Sequence, residues 1–210
     1  MPIREATAAP GTDVLLVEDD AALSDYLAAS LRSQGFKVCI AHDRESALLI
    51  LSGPAAPVLV LLDLGLPPHP STMREGLAVL QETLRMAPDT KILVLTGQDE
   101  DAAAHEALRL GAFDFLNKPV TVEAVLQALR RAQLFSREDA RMARAGETRL
   151  SIMARVDEGP KEAGAQAEEQ LIRRSFAQAG FNVAETARQL GIAREHVYYY
   201  LNKYGIRRPD

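Results

Sequence analysis

A chain of 210 residues, 47% hydrophobic and 25% charged, has room for one ordinary domain and a small second one. No apolar run approaches the roughly 20 residues that span a bilayer, and a single cysteine, Cys39, excludes an internal disulfide. The net charge of −5 is unevenly placed: residues 1–135 carry 11 basic against 18 acidic side chains, residues 170–208 carry 7 against 2. An acidic front and a basic end point to two units with different partners, the basic one suited to a polyanion.

The opening Met1-Pro2-Ile3-Arg4-Glu5 lacks the charged-then-apolar pattern of a signal peptide, so a cytoplasmic location is expected. A first strand, about 13–18, contains Val14-Leu15-Leu16-Val17 and runs into Glu18-Asp19; Asp20 then suits the N-terminus of a helix near 21–34. Gly35 fits that helix's C-terminus. The second strand, 37–41, places Cys39 as a buried thiol acting as a small hydrophobe. After a helix near 43–52, the third strand, 57–63, closes on Asp63. Helices near 74–86 and 100–110 flank the fourth strand, 91–96, which closes on Thr96. Gly111 leads into the fifth strand, 113–116, followed by Lys118-Pro119 and a helix over 121–135 whose N-cap is Thr121.

Short continuous apolar runs alternating with amphipathic helices predict an α/β fold, a doubly wound five-stranded parallel sheet covered on both faces. The carboxyl ends of such strands form the functional rim. Three carboxylates, a hydroxyl and an ammonium therefore gather at one edge, as a site for a divalent cation and a phosphoryl group requires. His42, His69 and His105 show no metal-ligand spacing and read as solvated or loop residues.

Residues 136–162 break the pattern and read as a linker, into which the fifth helix could run on as a charged extension; the run Leu150 to Val156 could form a strand of no assigned role. Over 163–208 the period is helical. Leu171, Ile172, Phe176 and Ala179 mark one helix, a second spans Val183 to Leu190, and Gly191-Ile192-Ala193 turns the chain into a third, Arg194 to Tyr204. Two short helices around a Gly-containing turn form a helix-turn-helix pattern.

Over residues 12–135 the order of rim residues resembles the receiver domain of two-component response regulators. The acidic pair is Glu18-Asp19, the phosphoacceptor position is Asp63 in Leu62-Asp63-Leu64-Gly65-Leu66-Pro67, the hydroxyl is Thr96 and the lysine is Lys118, with Phe115 at the aromatic switch position. The resemblance implies Mg2+ held by Glu18, Asp19, Asp63 and the Gly65 carbonyl. It implies phosphorylation of Asp63 by a sensor histidine kinase, with Thr96 and Phe115 moving inward afterwards and Lys118-Pro119 as a cis bond. Phe115 equally satisfies a plain core position. Acids after a first strand also suit a helix N-terminus. The family tunes phosphate lifetime at the positions of Gly65 and Gln98. The loop from Pro67 to Gly76 is longer than the usual receiver version.

The stretch Asn182 to Gly205 resembles the Fis-type helix-turn-helix of nitrogen-regulator-like activators, through Ala187, Leu190-Gly191-Ile192, Arg194, Val197, Leu201 and Lys203-Tyr204-Gly205-Ile206. Val197, Leu201 and Tyr204 share one face and read as core. Arg194, His196, Tyr198, Tyr199 and Asn202 are left for the major groove of DNA, with Asn182 and Arg188 near backbone phosphates and Lys203, Arg207 and Arg208 adding long-range attraction. The three consecutive tyrosines stand where relatives carry Arg or Lys, so a protein-contact surface remains open as the alternative. The resemblance implies a homodimer joined through Leu171, Ile172, Phe176 and Ala179, unless these only cover the tail's own helices. The ATPase of nitrogen-regulator-like activators is excluded, because no Gly-x-x-x-x-Gly-Lys-Ser/Thr run exists and the linker could not fold one. The expected role is a phosphorylation-controlled transcription regulator rather than an enzyme on external substrates. A phosphatase using Asp63 would lack the general acid that Gly65 replaces.

Overall fold

A computed structural model describes residues 13–53, 55–97, 101–153, 157 and 159–208. Residues 1–12, Gln98 and the Ala154–Val156 part of the apolar run lie outside the described residues. The elements are β1 (Asp13–Val17), α1 (Ala21–Ser33), β2 (Lys37–Ala41), α2 (Arg44–Leu51), β3 (Leu59–Asp63), α3 (Arg74–Met86), β4 (Lys91–Thr96), α4 (Asp101–Arg109), β5 (Asp114–Asn117) and α5 (Val122–Arg144). A tail of α6 (Pro160–Gln178), α7 (Val183–Leu190) and α8 (Arg194–Lys203) follows.

The five strands are parallel in the order β2-β1-β3-β4-β5. Because successive side chains of a strand point to opposite faces, each apolar run serves two cores. Leu15, Val17, Val60, Leu62, Ile92 and Val94 face the layer built with α2, α3 and α4. Val14, Leu16, Leu59, Leu61, Leu93 and Leu95 face α1 and α5. That two-sided burial explains why β1, β3 and β4 read as unbroken apolar stretches.

Three expectations change. Cys39 is exposed, not buried, because β2 is an edge strand: Val38 and Ile40 pack on the α1–α5 side, whereas Cys39 alternates to the opposite face. The linker is shorter than 136–162, because α5 continues to Arg144; no Gly or Pro interrupts it before Gly146. Its extension is held by an Arg141–Glu138 pair at 3.0 Å and by the burial of Asp139 against Lys91. Ser151–Met153 forms no strand; the Ser151 backbone instead exchanges hydrogen bonds with the Gln170 side chain at 2.8 and 3.0 Å.

In the tail, Ile172, Phe176 and Ile206 form a small core against Phe181, Leu190, Tyr200, Leu201 and Tyr204, with Val197 also buried. Ile172 and Phe176, expected at a dimer seam, thus cover the tail's own helix pair. Gly191 ends α7 in the left-handed region at φ +67°, which suits glycine, and its N–H bonds back to the Ala187 and Arg188 carbonyls.

Candidate functional site

β1 and β3 are neighbours, so Glu18 and Asp63, at their carboxyl ends, meet at the rim. Glu18 is 1% exposed and its N–H bonds to the Ala41 carbonyl at 3.0 Å, which fixes the backbone from which its side chain enters the site. His42, an exposed loop residue as expected, has its Nδ1 2.8 Å from the Glu18 carbonyl and so supports the acidic loop. Asp20 caps α1, its side chain accepting from Ala22 and Leu23, and so takes the structural role expected of it.

One carboxylate oxygen from each of Glu18, Asp19 and Asp63 lies within 4.8 Å of the others. Lys118 Nζ enters the same site, 2.8 Å from Glu18 Oε2 and 3.0 Å from Asp63 Oδ2. Burial pushes the Glu18 carboxyl above its ordinary value; the Lys118 hydrogen bond offsets part of this and the Asp63 charge adds to it. For Lys118, burial pulls the ammonium downward, but the hydrogen bond it donates to Glu18 and the charge of Asp63 outweigh this and the value rises. Three carboxylates against one ammonium leave an excess of negative charge in a tight space. Hard oxygen donors so arranged fit a small divalent cation such as Mg2+.

Thr96 and Asn117 are partners in the β4–β5 register, and the Thr96 hydroxyl donates to Asn117 Oδ1 at 2.9 Å. The Lys118 N–H bonds to the Thr96 carbonyl at 2.6 Å, and Lys118-Pro119 is cis. Phe115 is half-buried, packed on the layer that includes Ala103 and Ala107.

Two glycines shape the acceptor's surroundings. A side chain at Gly65 would place its Cβ 3.5 Å from Asp63 Oδ2 and 3.6 Å from the Pro70 carbonyl, so the long loop folds back beside the acceptor. Gly76 in α3 is closer still: a Cβ there would lie 2.4 Å from Leu64 Cα and 2.9 Å from the Asp63 carbonyl. Sequence reading passed over Gly76, although a lone glycine inside a helical pattern is itself a sign of close backbone approach.

On α8, Arg194, His196, Tyr198, Tyr199 and Asn202 are exposed, as the helical periodicity required. Asn182 and Arg188, expected at phosphates, and Lys203 are already engaged. The Asn182 side chain caps α7 through Ala184 and Glu185. Arg188 is paired with Glu185 at 2.5 Å. Lys203 is paired with Glu168 at 2.5 Å, its ammonium 4.8 Å from the Tyr204 ring centre. No ion pair forms at Arg194, Arg207 or Arg208 among the described residues.

Residues 14–130 match the family described as "Response regulator receiver domain", and residues 165–204 the one described as "Bacterial regulatory protein, Fis family". The chain is 31% identical over 197 residues to the acid tolerance regulatory protein ActR of Sinorhizobium medicae, covering 92% of this chain and 88% of that one. It is 34% identical over 117 residues to the transcriptional regulatory protein CpxR of Klebsiella pneumoniae, covering 56% of this chain and 47% of CpxR. Against a putative response regulator NtrX-like of Rickettsia felis it is 31% identical over 121 residues, only 24% of that protein's length. The chain thus spans less than half of several curated relatives that it matches. The receiver domain of NtrX from Brucella abortus superposes with a TM-score of 0.53 at 32% identity, over 57% of this chain and 97% of that structure. No helix among the described residues is long and apolar enough to cross a membrane.

Proposed function

This chain belongs to the response-regulator family, a receiver domain joined to a Fis-type helix-turn-helix, and from that premise we propose that it is a transcription regulator controlled by phosphorylation of Asp63. The observation that carries the proposal is the convergence of Glu18, Asp19, Asp63 and Lys118 at one point of the rim.

An Asp63 carboxylate oxygen attacks the phosphorus of a phosphohistidine on a sensor histidine kinase; the P–N bond breaks and an acyl phosphate forms. Lys118, already 3.0 Å from that carboxylate, offers its ammonium to a phosphoryl oxygen as negative charge builds. Mg2+ held by Glu18, Asp19, Asp63 and the Gly65 carbonyl would neutralise the repulsion between carboxylate and phosphoryl group. Thr96 gives up Asn117 and donates its hydroxyl to the phosphoryl group, and Phe115 turns into the space released. The chemistry is confined to phosphoryl transfer onto Asp63 and its hydrolysis; no external substrate is turned over.

The output is binding of DNA by paired tails, in the cytoplasm where the kinase presents its phosphohistidine. The exposed Arg194, His196, Tyr198, Tyr199 and Asn202 would enter the major groove. Because Arg188 and Lys203 are paired internally, fewer cations are left for phosphates, and this same observation favours the second reading, an adaptor whose tyrosine face binds a protein. A gel shift with genomic fragments, with and without a small phosphodonor, separates the two. Saturable, sequence-selective shifting that changes with the donor in wild type but not in Asp63→Asn supports the regulator; no selective shifting in either state sinks it.

A further inference from the structure

Val197 is wholly buried and fixes which way α8 turns its faces. At about 100° per residue, Glu195 and Tyr199 each lie about 160° round the helix from it, and Asn202 about 140°. These three exposed side chains therefore centre the outward face. The cations stand on its flanks. Arg194 lies only about 60° round the helix from Val197, and with Tyr198 and Arg208 it borders a cleft at the amino end of α7. Lys203 is drawn towards α6 by Glu168, its ammonium 5.9 Å from the Tyr199 ring centre. The stripe that a groove would receive first thus carries a carboxylate, a phenol and an amide, and no cation.

Three other acids of the tail are neutralised by neighbours: Glu185 by Arg188, Glu168 by Lys203 and Glu169 by Arg173. Glu195 has no hydrogen-bond or ion-pair partner among the described residues. As an acid in the first turn of α8 it answers the helix macrodipole, a role that any position in that turn would serve. Brought against DNA at the centre of the outward face, it meets a stronger demand. An unpaired carboxylate is repelled by phosphates and sheds its water in the groove, and only a hydrogen-bond donor on a base edge compensates.

The four bases differ in what they offer there. Guanine presents two acceptors to the major groove, thymine an acceptor and a methyl group, and adenine an acceptor beside its amino group. Cytosine alone presents a donor with no acceptor on the same base. A carboxylate therefore gains at cytosine N4 and is penalised at the other three, which discriminates by exclusion as much as by attraction.

We propose that Glu195 is a specificity-determining residue, which selects cytosine at one position of each DNA half-site by accepting a hydrogen bond from its N4 amino group. This role rests on the DNA-binding reading and narrows the class of site that the tail accepts. Guanine, whose usual readers are Arg and Lys, is excluded from the position that Glu195 meets.

Selection from a pool of random-sequence duplexes tests it, with full-length wild type, Glu195→Gln and Glu195→Ala, each with and without a small phosphodonor. Glu195 is exposed and outside the tail's core, so both variants fold. Wild type should select cytosine at one position in each half-site, and another base there should weaken binding about tenfold, within the usual cost of one mismatch. Glutamine donates as well as accepts and matches adenine N6 and N7, so Glu195→Gln should move that one position from cytosine to adenine. Glu195→Ala should lose preference there and keep the rest of the motif. The same motif from all three proteins overturns the assignment; a lowered melting temperature beside it leaves Glu195 as a helix-terminal acid only. Preference lost evenly across the motif, or binding lost altogether by the folded variants, overturns it too, since a base reader acts at its own position. No motif selected by wild type in either state sinks the DNA reading itself.

Discussion

Replacing Gly76 with alanine sets two effects of opposite sign against each other. In an exposed helix interior the change stabilises by about 1 kcal/mol. Here the new Cβ would meet Leu64 Cα at 2.4 Å, the Leu64 carbonyl at 2.7 Å and the Asp63 carbonyl at 2.9 Å, all of them backbone atoms that cannot swing aside. Ordinary contact begins near 3.4 Å, so α3 and the β3 terminus must separate by about an ångström. Overpacking of this kind costs about 1–3 kcal/mol. A net loss of about 1 kcal/mol follows, which lowers the melting temperature of a domain of this size by about 4 °C. Since Leu64 follows the acceptor directly, the shift also displaces Asp63, and phosphoryl uptake should fall about tenfold or more. Calorimetry and uptake from a small phosphodonor read the two effects. Gly65→Ala is the control for stability alone, because its Cβ meets nothing closer than 3.5 Å. If Gly76→Ala is as stable as wild type and takes up phosphate as quickly, the close approach of α3 to the acceptor strand is not what the glycine serves.

Lys118→Met removes the ammonium standing between Glu18 and Asp63, and phosphoryl uptake should fall by about a hundredfold, the usual loss for one charge-stabilising donor; uptake within a few-fold of wild type would remove Lys118 from the chemistry. The Glu168 carboxyl is held below its ordinary value of 4.5 by the Lys203 ammonium and the Tyr204 hydroxyl. A lowered carboxyl contributes stability above its unfolded value and loses it as pH falls through the folded one. The tail of wild type should therefore lose melting temperature below pH 4.5 more steeply than Glu168→Gln; parallel pH curves for the two would show that the α6–α8 tie contributes nothing.

The receiver was legible because its signals are local. Strands buried on both faces must be apolar throughout, so Val14–Val17 and Leu59–Leu62 announced themselves, and the residue ending each run fell at the rim. Convergence of Glu18, Asp19, Asp63 and Lys118 then follows from parallel topology alone. Cys39 was misread because an apolar-looking strand does not say whether it lies at an edge. Nothing local marks Asp89, Lys91 and Asp139 as paired, since their partners are supplied by segments distant in sequence. The dimer seam shows the same limit in the tail: an apolar stripe such as Ile172 and Phe176 signals burial, but not whether the covering surface is its own chain.

The central claim is that one carboxylate among the clustered acids accepts a phosphoryl group. Incubating wild type with a small phosphodonor and mapping the adduct by tandem mass spectrometry, with Mg2+ and then with the metal chelated, tests it most directly. The account predicts a single acid-stable, base-labile adduct on Asp63 that needs the metal and is missing from Asp63→Asn. Labelling elsewhere, or labelling retained by Asp63→Asn, would contradict it.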